Sequence, residues 1–228
     1  KENCIPKNSQ TILLLNLFNE NKIYEAEKIA LKLKNGFSND YFSRKILGII
    51  YRKKNKLEES MLILQEAINI NNKDYEIFLN IGLTYQKLNK IEEAEFSFKK
   101  AIDLSPNSPE NYFYLALLFK EKSSFTKSVA LLRKAVQIDT KNSNYYYFLG
   151  LCLFSEGNLE QAKDIFYEAI SINNNEPNYY NDLGITYIEL GYNEQAEKSI
   201  KKAILLNANF CEAYNNLANL YLNNKDYQ

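Results

Sequence analysis

Between Tyr75 and Asn107 the apolar and small positions fall three and four residues apart on two separate stripes. The first stripe is Phe78, Ile81, Gly82 and Tyr85; the second is Ala94, Phe98, Ala101 and Ile102. That spacing puts residues on one face of an α-helix. The polar residues Lys87, Asn89 and Lys90 separate the stripes. Pro106 ends the second, because proline cannot continue a helix and disfavours helical geometry in the residue before it. The pattern predicts a helix, a tight turn and an antiparallel helix.

The pattern returns every 34 residues without insertion or deletion. Gly48, Gly82, Ala116, Gly150, Gly184 and Ala218 form one series of small residues, and Ala67, Ala101, Ala135, Ala169 and Ala203 a second. Ala26, Ser60, Ala94, Ser128, Ala162 and Ala196 form a third. Small side chains let backbones approach: Gly82 and Ala94 within a unit, Ala101 toward the next. A fixed period of this length means stacked supersecondary units. The expected division is an extension at 1–6 and one solenoid over 7–228. Its units are 7–40, 41–74, 75–108, 109–142, 143–176, 177–210 and a partial 211–228. Unit 7–40 is degenerate, with Leu14 and Gln10 where a glycine and an aromatic stand elsewhere. Residues 211–221 read as a first helix whose second helix is not in the sequence, so the chain is expected to be a fragment.

These residues resemble the tetratricopeptide repeat (TPR) family, whose pattern runs aromatic, Leu-Gly, Tyr, Ala, aromatic, Ala, Pro. Here it reads Phe78, Ile81-Gly82, Tyr85, Ala94, Phe98, Ala101, Pro106, and again from Tyr146 and from Tyr180. In most units the closing proline is replaced by turns such as Asn71-Asn72 and Asn173-Asn174-Asn175, a residue type that suits turn geometry. The resemblance implies an all-α, right-handed α-solenoid whose first helices line a concave, peptide-holding face.

The resemblance also directs attention to the stripe of each first helix opposite its packing positions. In the amino-terminal half it carries Lys45, Arg52, Lys53, Asn80 and Lys87; in the middle Phe113, Tyr114, Lys120, Tyr147, Phe148 and Phe154. Asn181, Asp182, Glu189, Glu212 and Asn216 follow. Exposed aromatics on a concavity are typical peptide anchors, although rings there can also pad the contact between neighbouring first helices. Tyr51, Tyr85, Tyr112, Tyr146, Tyr180, Tyr187, Tyr214 and Tyr221 occupy the repeat's own packing positions and are expected in the core. The charges predict a groove basic toward its amino-terminal half and acidic toward the other. Asn80 and Asn216, with Asp182 in part, are similar to the asparagine ladder of the TPR region of O-linked N-acetylglucosamine transferases, which binds peptide backbone.

Composition narrows the function. A formal net charge of zero argues against nucleic acid, whose binding needs a basic surface. No apolar run approaches the roughly 20 residues of a membrane span. Cys4, Cys152 and Cys211 are an odd, scattered set, which is no disulfide framework and fits a reducing, cytoplasmic setting. Cys152 lies on a first helix and is expected to be buried. Histidine is absent, which removes the commonest general base and a major metal ligand. No Cys-x-x-Cys pair and no glycine-rich phosphate loop occurs. The pairs Glu58-Glu59 and Glu92-Glu93 start second helices, where acids favour the helix dipole. The chain reads as non-catalytic, with no cofactor and no metal. Three functions compete: a scaffold holding a peptide segment of a partner, a substrate-recruiting arm of a larger enzyme of glycosyltransferase type, and a solenoid self-associating through its terminal repeats.

Overall fold

A computed structural model of the protein describes Pro6 and residues 8–225. All regular structure among these residues is helical. The first compact unit holds α1 (Asn8–Asn19), α2 (Ile23–Gly36), α3 (Tyr41–Lys53), α4 (Leu57–Ile70), α5 (Tyr75–Lys87) and α6 (Ile91–Leu104), and ends at Asn107. The second starts at Ser108 and holds α7 (Pro109–Glu121), α8 (Phe125–Ile138), α9 (Ser143–Ser155), α10 (Leu159–Ile172), α11 (Pro177–Glu189), α12 (Asn193–Leu206) and α13 (Cys211–Lys225). The helices pair in chain order as stacked helix-turn-helix repeats, the TPR arrangement, and α13 packs on α12.

Local chemistry sets the boundaries. Asp40, Asp74 and Asn142 cap α3, α5 and α9 by accepting hydrogen bonds from backbone N–H groups of the first turn. Before α7 and α11 the capping side chain makes no such bond, and Pro109 and Pro177 open the helix instead. The asparagine turns work through one residue each. Asn71, Asp139, Asn173 and Asn207 accept from the N–H two residues on, at 3.0–3.2 Å. The turn inside each repeat has positive φ at Asn21, Asn55, Asn89, Ser123, Gly157 and Gly191, a further series in step with the repeat. Glycine and asparagine visit that region readily, whereas Ser123 does so at a cost.

The glycine series packs against one large side chain of the partner helix. A Cβ on Gly48 would lie 2.6 Å from Leu64, on Gly82 2.6 Å from Phe98, on Gly150 2.6 Å from Phe166 and on Gly184 2.5 Å from Ile200. The first repeat inverts the pair: Leu14 stands at the glycine position and Ala30 at the large one, both fully buried. Where the third series is serine, its hydroxyl adds a bond across the seam. Ser60 donates to the Gly48 carbonyl and Ser128 to the Ala116 carbonyl, each at 2.8 Å. Cys152 lies beside Ser128, fully buried, and burial pushes its thiol pKa up.

The tyrosines depart from expectation. Only Tyr187 of the eight is buried; Tyr51, Tyr85, Tyr112, Tyr146 and Tyr180 are half-buried, and Tyr214 and Tyr221 are exposed. For Tyr112, Tyr146, Tyr180 and Tyr214 the buried position is one residue earlier, in the series Ser43, Ile77, Asn111, Tyr145, Tyr179 and Ala213. A step of one residue turns a side chain about 100° around the helix, toward the preceding first helix. There Tyr145 meets Phe113, and the Tyr179 hydroxyl reaches Ser143 and Asn144.

Two outcomes follow for stability. Gly82→Leu is expected to destabilise the fold by about 2–3 kcal/mol through overpacking. Adding Phe98→Ala should recover much of that loss, because the double variant recreates the Leu14–Ala30 arrangement. Chemical denaturation of both checks this; a double variant less stable than either single one would contradict the pairing. Ser123→Gly relieves left-handed strain and is expected to stabilise by about 1 kcal/mol, read as a rise in melting temperature.

Candidate functional site

The stripe opposite the packing positions divides between the two units. Lys45, Arg52, Asn80 and Lys87 belong to the first. Lys45 is buried among carboxylates: its ammonium sits 2.8 Å from Asp74 and 2.6 Å from Glu76, tying α3 to α5. Desolvation opposes its charge, but the two hydrogen bonds and the attraction of the carboxylates outweigh it, and its pKa is raised. Arg52 donates to Asn80 Oδ1 at 3.0 Å, and Asn80 Nδ2 donates to the Glu76 carbonyl at 2.7 Å. Lys53 lies over the Phe18 ring, and Lys87 is exposed at the end of α5. The cations expected to make this half basic are therefore in part neutralised by their own neighbours.

The remaining site residues lie in the second unit, and there the structure brings them into contact. Phe113 on α7 meets Tyr114, Tyr145 and Phe148 at ring-centroid distances of 5.0–5.4 Å. Tyr147 lies against Phe148, Phe166 and Tyr179, and its hydroxyl donates to Asp182 Oδ2 at 2.7 Å. Three of these six contacts are edge-to-face, the geometry that ring quadrupoles favour, and three are tilted. All five aromatics of the stripe are half-buried. Lys120 lies over the Phe148 ring. Phe154, at the carboxy end of α9, borders a hollow of about 60 Å³ with Leu151, Phe166, Asp182 and Ile185.

The amides form a relay across three first helices. Asn216 on α13 donates to Asn181 Oδ1 at 2.9 Å; Asn181 donates to Asp182 Oδ1 at 3.2 Å; Asp182 accepts from Tyr147 on α9. Asp182 is held by neutral donors. Burial pushes its pKa up, further helped by Glu212, and the hydrogen bonds from Tyr147 and Asn181 offset this only in part. The same burial and the nearby Asp182 raise the pKa of Tyr147 beyond the ordinary tyrosine range. Asn80 and Asn216, the positions resembling an asparagine ladder, both spend amide hydrogen bonds inside the protein.

The sequence places Glu76 on the stripe, but sequence reasoning missed Asp74 and the pairing of both with Lys45, which stands 29 and 31 residues before them, close to one repeat away. Opposite charges at that offset were the available signal. Among the described residues no group of three or more Cys, Asp or Glu side chains is placed to hold a metal ion. No described helix is long and apolar enough to cross a membrane.

A carboxylate with a raised pKa stabilises the fold fully only below its ordinary value of about 4, and that contribution is lost as pH rises through its folded-state value. Asp182→Asn removes the ionisation. The variant is expected to gain in melting temperature relative to the parent as pH goes from about 4 to neutrality; parallel melting curves across that range would remove Asp182 as the source.

Comparison with known proteins agrees with this architecture. The models described as "Tetratricopeptide repeat" match residues 75–108 and 199–228, and one described as "TPR repeat" matches 48–89. The model "Anaphase-promoting complex, cyclosome, subunit 3" matches 121–203. No curated protein matches the sequence. Among solved structures, YrrB, described as a TPR protein with an unusual peptide-binding site, is 18% identical with a TM-score of 0.68, over 82% of this chain and 96% of its own. MamA from Desulfovibrio magneticus RS-1 is 18% identical with a TM-score of 0.67, over 73% and 94%. The APC/C hetero-tetramer Cut9-Hcn1 gives 14% identity and a TM-score of 0.77 over 92% of this chain and 42% of that one. At such identities the likeness shows the fold. The match at 75–108 coincides with the α5–α6 helix pair, and the chain carries tetratricopeptide repeats on an all-helical repeat fold.

Proposed function

We propose that this protein is a non-catalytic scaffold whose first-helix face holds a peptide segment of a partner. The solenoid would span residues 7–228 and work as one array. The observation that carries the reading is the aromatic group of the second unit. Phe113, Tyr114, Tyr147, Phe148 and Phe154 keep part of their ring surface in water while their neighbours fix their positions. Rings that are rigid and partly exposed gain contact area at low entropic cost. Asp182 borders them, its carboxylate accepting from the Tyr147 hydroxyl, so a polar group adjoins the apolar centre.

The unusual peptide-binding site named for YrrB is consistent with this reading at the level of fold. A recruiting arm of a glycosyltransferase-like enzyme would use free amides along the stripe. Asn80 and Asn216 are engaged with Arg52 and Asn181, so the scaffold is the better account.

The test is selection of peptides from a phage-displayed random library on the folded chain, followed by truncation. Phe154→Ala is expected to weaken the selected peptides by about 2 kcal/mol, some 30-fold, with the melting temperature checked alongside. Phe113→Ala is expected to cost about 3 kcal/mol of fold stability, since three rings lean on it. Selected peptides that bind both folded variants normally would place the binding face elsewhere.

A further inference from the structure

The first unit carries a cavity that the face described above does not use. It holds about 480 Å³, within the size range of ligand pockets, and lies over α5 between α4 and α6. Phe78, Ile81 and Tyr85 of α5 form its floor, Gln65 and Ile68 of α4 one wall, and Phe96 of α6 the other. The Phe96 ring is 62% exposed. Ser97 lines the space; the same position is Ile63, Leu131 and Ile165 in three other repeats and again a serine, Ser199, in the second unit.

The protein itself shows what fits there. The position of Gln65 is Tyr167 three repeats later, and that of Tyr85 is Tyr187. In the second unit the Tyr167 ring lies edge-on to Tyr187, and their hydroxyls share a hydrogen bond. The groove between α10 and α12 is thus covered by a phenol of the chain's own. In the first unit the shorter Gln65 leaves the equivalent place open. Glu92 and Glu93 line the mouth of the cavity at the start of α6, and among the described residues neither side chain pairs with a cation. Two cations lie nearby: Lys90 over the Tyr85 ring, and Lys100 over Phe96 and paired with Asp103.

We propose that this cavity is a second docking site, one that receives a tyrosine side chain from a partner segment carrying basic residues beside it. The partner's phenol takes the place that Tyr167 takes in the second unit, and its hydroxyl bonds to Tyr85. The flanking ammonium or guanidinium groups meet Glu92 and Glu93, whose charge the helix start leaves facing solvent.

The test uses two blocked tripeptides, acetyl-lysyl-tyrosyl-lysinamide and acetyl-glutamyl-tyrosyl-glutamamide, titrated into the full chain and followed by amide NMR shifts. The basic peptide is expected to move resonances of α4, α5 and α6 and to bind at least 5-fold more tightly than the acidic one. Gln65→Tyr should fill the cavity, abolish these shifts and leave the melting temperature equal or higher. Glu92→Gln with Glu93→Gln should erase the preference for the basic peptide while keeping the phenol's contact. Shifts confined to the second unit, or binding that survives Gln65→Tyr, would overturn the proposal. A preference that survives loss of both glutamates would overturn its electrostatic half. None of these readouts depends on the aromatic face of the second unit, so the two proposals stand or fall separately.

Discussion

The structure depends on one close approach, repeated. In the full repeats after the first, a glycine or alanine of the first helix lets it meet a single large side chain of the second. Gly48 faces Leu64, Gly82 Phe98, Gly150 Phe166 and Gly184 Ile200. The constraint is on the summed volume of the pair and not on glycine itself, which is why Leu14 with Ala30 satisfies it in reverse. Cores are packed densely enough that an added methylene is felt. Once the seam is set, the turn length and the left-handed residue at Asn21, Asn55, Asn89, Ser123, Gly157 and Gly191 follow in register. The serine bonds to the Gly48 and Ala116 carbonyls exploit the same proximity.

Because the seam settles packing within a repeat, the outward stripe of the first helix is free to link one repeat to the next. It does so with polar side chains in the first unit and with rings and amides in the second. Lys45 reaches Asp74 and Glu76, Arg52 reaches Asn80, Tyr147 reaches Asp182 and Asn216 reaches Asn181. Each link joins residues roughly one repeat apart. A side chain spent on such a link has less to offer a partner. A buried lysine with two carboxylates is costly to expose, whereas a ring edge left in water gains on being covered. This physical difference is why the proposed partner face is the aromatic one of the second unit and not the cationic stripe of the first.

The repeat phase, the small-residue seam and the burial of Cys152 were legible in the sequence because packing there demands one residue type at one spacing. The buried series Ser43, Ile77, Asn111, Tyr145, Tyr179 and Ala213 was not, because only burial is common to its members and their chemistry differs. The tyrosines were misplaced by the same shortfall: a pattern tells that Tyr146 and Tyr180 recur, not that the residue before each points more directly at the neighbouring helix. The site residues were legible as a stripe, yet their pairing was not, since an ion pair or relay is a property of two repeats together. Reading one repeat at a time makes Lys45 look free and Asn216 look available.

Repetition also makes differences between equivalent positions informative. The scaffold is held constant by the seam, so a change at one position reports on the surface rather than on the fold. Gln65 and Tyr167 occupy the same place on α4 and α10, while Ser97 and Ser199 keep the same small residue beside them. One repeat covers its groove with its own phenol, and another leaves an apolar floor and an exposed Phe96 ring beneath two carboxylates. Exposed apolar surface is unfavourable in isolation, and the tyrosine solution was within one side chain's reach. Keeping both arrangements gives the chain two surfaces of different chemistry on equivalent helix triplets, and that difference is what the proposed second docking site rests on.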